Sequence, residues 1–225
     1  MARSWQSPQS GSWYSADEDA RYGPQVALVV VDMQNDFADP AGSLSVAGGD
    51  TIVPYVNGQI AAARAAGALV AYTQDWHPPS TPHFARDGGR WPVHCVAGTW
   101  GAAFHPSLDA GAGPSVRKGV DGEDGYSGFT VRDPRGDTLA PTDLARLLVA
   151  RGIRRVVVCG LATDYCVRAT ALDALALGYP TSVLVEGVRA VDLQAGDGAS
   201  ALRELAEAGV ELVQPAIAAA VEGVS

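Results

Sequence analysis

The chain has 225 residues, 47% of them hydrophobic and 18% charged, which suits one globular domain with a single good core. Its 16 Lys and Arg stand against 25 Asp and Glu, a net charge of −9 with no basic cluster, which excludes nucleic acid as a partner. No apolar run reaches the length of a membrane span, Met1 to Pro8 lacks the apolar core of a secretion signal, and three cysteines make no disulfide framework, so a cytoplasmic chain is expected, with no membrane partner.

Residues 1–23 are Ser/Gln-rich, carry Trp5, Trp13, Tyr14 and Tyr22, and show no period. They read as an N-terminal arm, either loose or docked through its aromatics on the domain or on a second subunit, which would make a homo-oligomer. Residues 24–225 read as one domain without repeats or linkers. Val26 to Val31 is apolar on both faces, as a buried parallel strand is, and ends at Asp32. An Asp there is either a turn residue or a functional one. Asp36 to Gly42 is expected to be a loop. Thr51 to Ala66 reads as the first helix, with Pro54 in its first turn and an Ala-rich second half.

Ala68 to Thr73 is the second strand, and it leads to Asp75. Beyond it lies the most polar loop of the chain, with His77, His83 and His94. In an extended strand end Asp75 and His77 point to the same side. One carboxylate and three imidazoles fit one divalent transition metal ion: zinc, iron or manganese. His105, in Phe104-His105-Pro106, reads as structural. Pro114 to Arg117 is a third strand, ending at Lys118. Gly119 to Gly125, acidic and Gly-rich, is expected to be a flexible loop over a pocket.

Arg135-Gly136-Asp137 spells an adhesion tripeptide and reads as a turn before a helix over Pro141 to Arg151. Ile153 to Val157 is a buried strand, and Ala169 to Leu177 is a helix. Cys159 reads as core. Cys166 falls where that strand turns into that helix. First-turn amides lack internal partners and carry positive partial charge, which would lower the pKa of a thiol there. Taken alone, Cys166 reads equally well as a small buried hydrophobe. Pro180 to Val185 is a fifth strand, Asp197 to Ala208 a helix, Val210 to Val213 a sixth strand, and Pro215 to Val221 a last helical turn or two. The implied fold is a three-layer α/β/α sandwich with a mostly parallel, Rossmann-like central sheet of about six strands. Ligands in such sheets bind beyond the carboxyl ends of the strands. Parallel strands would bring Asp32, Asp75, Lys118 and the Cys166 loop to one edge, so that an acid, a lysine and a thiol meet in one pocket.

Val31-Asp32-Met33-Gln34-Asn35-Asp36-Phe37, Lys118-Gly119 and Ala162-Thr163-Asp164-Tyr165-Cys166-Val167 together resemble the isochorismatase-like cysteine hydrolases. Asp75-Trp76-His77, His83 and Trp91-Pro92-Val93-His94-Cys95 are similar to the metal site of the nicotinamidase (pyrazinamidase) branch. The resemblance runs in matching order from about Val26 to Ala216. It implies an amidohydrolase converting nicotinamide to nicotinate and ammonia, or pyrazinamide to pyrazinoate, through a cysteine thioester. Cys166 would be the nucleophile, Asp32 the general base and later acid, and Lys118 the cation beside both. The amides of Ala162 and Cys166 would form the oxyanion hole, next to a non-proline cis bond at Leu161–Ala162. Asp75, His77, His83 and His94 would hold the metal, which binds the pyridine nitrogen. Phe37, Trp91, Leu161 and Tyr126 would contact the ring. With the ligand pattern complete, Cys95 reads as buried. Three rivals stand beside this reading: another amidase or carbamoyl hydrolase of the same superfamily, a metal-hydroxide enzyme in which Cys166 is incidental, and a non-catalytic metal-binding or adhesion module.

Overall fold

The computed structural model describes residues 21–133 and 138–214. Trp5, Trp13 and Tyr14, the Arg135-Gly136-Asp137 tripeptide and the run after Gln214 lie outside the described residues. Tyr22, the last aromatic of the arm, is buried, and its hydroxyl donates to Gln59 Oε1 at 2.8 Å.

Five of the six strands of the main sheet begin within one residue of the apolar runs that mark them; β6 begins two residues late and ends four later. They are β1 (Val26–Val31), β2 (Leu69–Asp75), β3 (Ser115–Lys118), β6 (Arg155–Leu161), β7 (Thr181–Arg189) and β8 (Glu211–Val213). They form one parallel sheet in the order β3-β2-β1-β6-β7-β8. The chain winds outward from β1 in one direction and from β6 in the other, so its central pair is the switch point at which such sheets bind ligands. Val31 stands opposite Gly160, and Asp75 opposite Lys118. Gly160 has φ 110°, and a Cβ there would overlap the Val31 backbone, so only glycine lets these two strands close side by side.

Successive side chains of the central strands feed opposite cores. Leu28, Val30 and Tyr72 pack with Val56 and Ile60 of α2 (Val53–Ala65). Ala27, Val29, Val31 and Val158 pack with Leu144 and Leu148 of α3 (Asp143–Ala150), Ala171 of α4 (Arg168–Ala176) and Leu205 of α5 (Asp197–Ala208). The result is the expected three-layer sandwich. Each fully buried Val, Leu or Ile contributes about 1.5–3 kcal/mol to it. No helix among the described residues is long and apolar enough to cross a membrane.

Three local expectations are corrected. Asp36, Phe37 and Ala38, expected as loop, belong to one helical turn, α1 (Asn35–Ala38). Pro141 does not open a helix: it pairs with Thr130 at the end of an antiparallel hairpin, β4 (Thr130–Asp133) with β5 (Thr138–Pro141). Thr142 caps α3 instead, its hydroxyl accepting from Leu144 N at 3.2 Å, as a threonine cap does. β7 runs four residues past Val185, because its register shifts against β6 between Val158 and Gly160 and pairing continues to Arg189.

Candidate active site

Asp32, Lys118 and Cys166 meet at the carboxyl edge of the sheet. Asp32 takes φ 47°, a left-handed value that Asp tolerates better than most residues, as the chain leaves β1. The Thr73 hydroxyl of β2 accepts from Asp32 N at 3.2 Å and donates to Asp32 Oδ1 at 2.6 Å. Lys118 Nζ donates to Asp32 Oδ2 at 2.8 Å and to the Tyr126 carbonyl at 3.2 Å, and lies 3.6 Å from Cys166 Sγ. It also stands 2.8 Å from Asp75 Oδ1 as an ion pair without hydrogen-bond geometry. Lysine and both carboxylates are almost wholly buried, at 1%, 0% and 6% exposure.

Cys166 sits in a π-helical turn, Thr163–Val167, between β6 and α4. The Ala162 carbonyl accepts from Tyr165 N at 3.1 Å and Val167 N at 3.0 Å, which folds the turn back on the strand end. The Leu161–Ala162 peptide is cis, in agreement with the resemblance.

The ligand atoms of His77, His83 and His94 lie within 4.8 Å of one another. His83 Nδ1 donates to Asp124 Oδ1 and His94 Nδ1 to the Pro92 carbonyl, each at 2.7 Å, which orients both rings. Neither ring nitrogen of buried His77 has a hydrogen-bond partner. A Cβ at Gly119 would fall 2.5 Å from His77 Nδ1, so glycine is required where the loop crosses that ring. Oriented imidazoles with free nitrogens in a buried cluster fit a divalent metal, with Asp124 and Pro92 as outer partners. Asp75 Oδ2 approaches two of the three, at 3.7 Å from His77 Nε2 and 3.8 Å from His94 Nε2, while its other oxygen faces Lys118.

Both groups open on one cleft. Cys166, Ala162 and Leu161 line it on the sheet side, His83, His94 and Asp75 on the metal side, and Phe37, Trp91 and Tyr126 between them. Trp91 Nε1 donates to Tyr126 Oη at 3.1 Å. Asp32, Lys118 and His77 stand buried behind this lining. The structure thus brings all the expected site residues to one place. His105 accepts from Ser107 N away from the cleft, and Cys95 and Cys159 are buried.

The Isochorismatase domain family model matches residues 26–216. Nicotinamidase/pyrazinamidase of Mycobacterium tuberculosis is 42% identical over 194 residues, covering 83% of this chain and 97% of that protein. The crystal structure of pyrazinamidase of Pyrococcus horikoshii in complex with zinc superposes with a TM-score of 0.76 at 42% identity, over 85% of this chain and 99% of that one. The crystal structure of PnC1 from L. infantum in complex with nicotinate gives 0.77 at 37% identity, over 86% and 94%. The chain belongs to the isochorismatase family.

The electrostatics of this isochorismatase-family site correct one expectation. Burial pushes the Cys166 thiol well above its usual range, and Asp32 and Asp75 add to this against the pull of Lys118. Burial and the two carboxylates thus oppose the lowering expected from first-turn amides. Burial also raises the Asp32 carboxyl, which Lys118 only partly offsets. Burial works the same way on Asp75, yet Lys118, His77 and His94 together hold it well below the carboxylate range. For Lys118 burial opposes the charge, but Asp32 and Asp75 keep it protonated far above the usual lysine value. One buried cation therefore serves two carboxylates of different basicity. Asp124 is held at about 2 chiefly by its hydrogen bond to His83.

Several contributors escape sequence reasoning. Thr73 orients Asp32. Gln34 donates to the Asp75 carbonyl at 2.7 Å and accepts from Asp75 N at 2.8 Å, acting as a surrogate strand partner. Tyr165 packs edge-on against Trp91 and Tyr126, with centroids 5.0 and 5.2 Å apart. Leu44, Val46 and Val191 complete the lining. The available signal for the first two is a polar residue in a buried strand or directly beyond its end.

Proposed function

We propose that the chain is an amidohydrolase that converts nicotinamide to nicotinate and ammonia, and pyrazinamide to pyrazinoate. The observation that carries this reading is that the buried Asp32–Lys118–Cys166 cluster and the three histidines open on one aromatic-lined cleft. The relatives named nicotinamidase and pyrazinamidase, and the nicotinate-bound structure, support it.

Asp32 takes the Sγ proton as Cys166 attacks the carboxamide carbon, so thiolate forms only with the new C–S bond. The oxygen of the tetrahedral adduct lies toward the amides of Ala162 and Cys166. Asp32 returns the proton to the leaving nitrogen, the C–N bond breaks, ammonia departs and a thioester remains. Asp32 then deprotonates the water that splits the thioester, releasing nicotinate and the thiol. Lys118 holds Asp32 in place throughout. Phe37, Trp91, Leu161 and Tyr126 sandwich the flat ring. Bound by His77, His83 and His94 with Asp75 alongside, a divalent zinc, iron or manganese ion supplies a Lewis-acid site for a ring nitrogen and orients the substrate.

The test is ammonia release from nicotinamide and benzamide, which share a shape but differ in the ring nitrogen. A strong preference for nicotinamide is expected, because a site built around that bond rejects the analogue lacking it. Equal kcat/KM on the two amides overturns the reading and favours a metal-independent amidase of the same family.

A further inference from the structure

The turn that carries Cys166 also carries a carboxylate that the reaction does not use. Asp164 is 8% exposed. Its Oδ1 accepts from Val191 N and its Oδ2 from Asp192 N, each at 2.9 Å. Two consecutive amides of the loop after β7 are thus held by one carboxylate two residues before the nucleophile. Asp192 takes φ 52°, and its Oδ1 accepts from Gly198 N at 2.7 Å, which ties the same loop to the first turn of α5. Gly198 leaves no slack, because a Cβ there would overlap Ala190 Cβ. The loop is thus pinned to the Cys166 turn and to α5, and Val191, whose own amide is one of those held, lines the cleft.

We infer that Asp164 is a positioning residue for specificity: it fixes Val191 as a wall of the ring slot, in register with Cys166, and so limits the slot to six-membered rings without bulky ring substituents. This rests on the proposed carboxamide reading of the site. A carboxylate suits the task because it accepts from two N–H groups at once with charge-assisted strength. An amide of the same shape turns an NH₂ toward one of those N–H groups and keeps only one bond.

The experiment compares the wild type, Asp164→Asn, Val191→Ala and the double variant on nicotinamide and on ring-methylated nicotinamides. Asp164→Asn is expected to raise KM for nicotinamide by about tenfold, the scale of one lost charge-assisted bond, while kcat moves by less than about threefold. The kcat/KM of ring-methylated substrates relative to nicotinamide should rise in Asp164→Asn and in Val191→Ala alike. The double variant should shift no further than the larger single, because both changes act through one wall. Alkylation of Cys166 by iodoacetamide should stay within about twofold of wild type. Amide exchange at Val191 and Asp192 should accelerate in Asp164→Asn, which reads the clamp without turnover and covers a wild type inactive on nicotinamide. Absence of wild-type turnover counts against the proposed function alone. Additive shifts, an unchanged KM, unchanged amide exchange, or a parallel fall in kcat and alkylation each overturn the role assigned to Asp164.

Discussion

The two halves of the cleft are assembled by opposite means. Asp32 and Lys118 stand at the ends of β1 and β3, where ladder pairing fixes each backbone to its neighbour, and Cys166 stands in the turn that follows β6. The histidines and Trp91 ride on residues 76–114, in which the only helical or strand element is the three-residue 3₁₀ turn Ala85–Asp87. That stretch is held by scattered loop bonds, such as His77 N to the Cys95 carbonyl at 3.0 Å and Ala85 N to the Trp91 carbonyl at 2.7 Å, and by tethers from outside it. Gln34 ties Asp75 and Ala102, Asp36 accepts from Cys95 N at 2.7 Å, and Asp124 and the Pro92 carbonyl aim two imidazoles. Bond-making groups are placed by the sheet, and recognition groups by tethers. Damage to one half should leave the other working.

The largest test of that separation is Cys166→Ala, which should remove turnover while leaving metal content and fold intact; Cys166→Ser should be nearly as poor. Loss of metal from Cys166→Ala would break the comparison. Asp32→Asn should lower kcat by ~10²–10⁴, the usual contribution of a general base, with little change in metal content. Near-wild-type turnover there would assign the base elsewhere.

Chelation attacks the other half. It should impair nicotinamide hydrolysis, yet leave the rate of Cys166 alkylation within about twofold, because Lys118 and Asp32 remain in place. A comparable fall in alkylation would merge the halves into one unit. Asp124→Asn is milder. Losing the charged partner of His83 should weaken metal affinity by about 10–100-fold by titration, while the metal-saturated variant keeps most of its kcat. The smallest effect belongs to a position in neither half. Thr142→Ala removes the cap of α3 and should cost about 1 kcal/mol by denaturant unfolding, with kcat/KM unaltered.

The same division separates what could be read in the sequence from what could not. Buried parallel strands are continuous apolar runs, so β1 and β2 are legible to within two residues, and the acidic residues at their ends announce the site. The β4–β5 hairpin is invisible because Thr138–Pro141 is exposed throughout and lacks an apolar alternation, and Pro141 mimics a helix start. The histidines are legible by type and spacing. Thr73, Asp124 and Asp164 are not, since each works through a partner at least 27 positions away that only folding brings near. The surroundings of Cys166 are misread for a related reason: a helix start is local, whereas burial beside two carboxylates is a property of the assembled sheet.

The pairing of β1 with β6 also sets an order of birth for the site. A ribosome delivers Asp32, His77, His83, His94 and Lys118 before Arg155 emerges, so the nascent chain holds the acid, the lysine and the histidine cluster but not yet Cys166. Over that interval β1 has one partner, β2, and an open edge of valines and Leu28, a surface that invites aggregation or a chaperone. The arrival of β6 is a closure over more than a hundred residues, the class of contact that forms slowly. When it forms, one strand covers the edge and carries Cys166 to Lys118 in the same movement. The reactive thiol meets its base only in the act that seals the sheet.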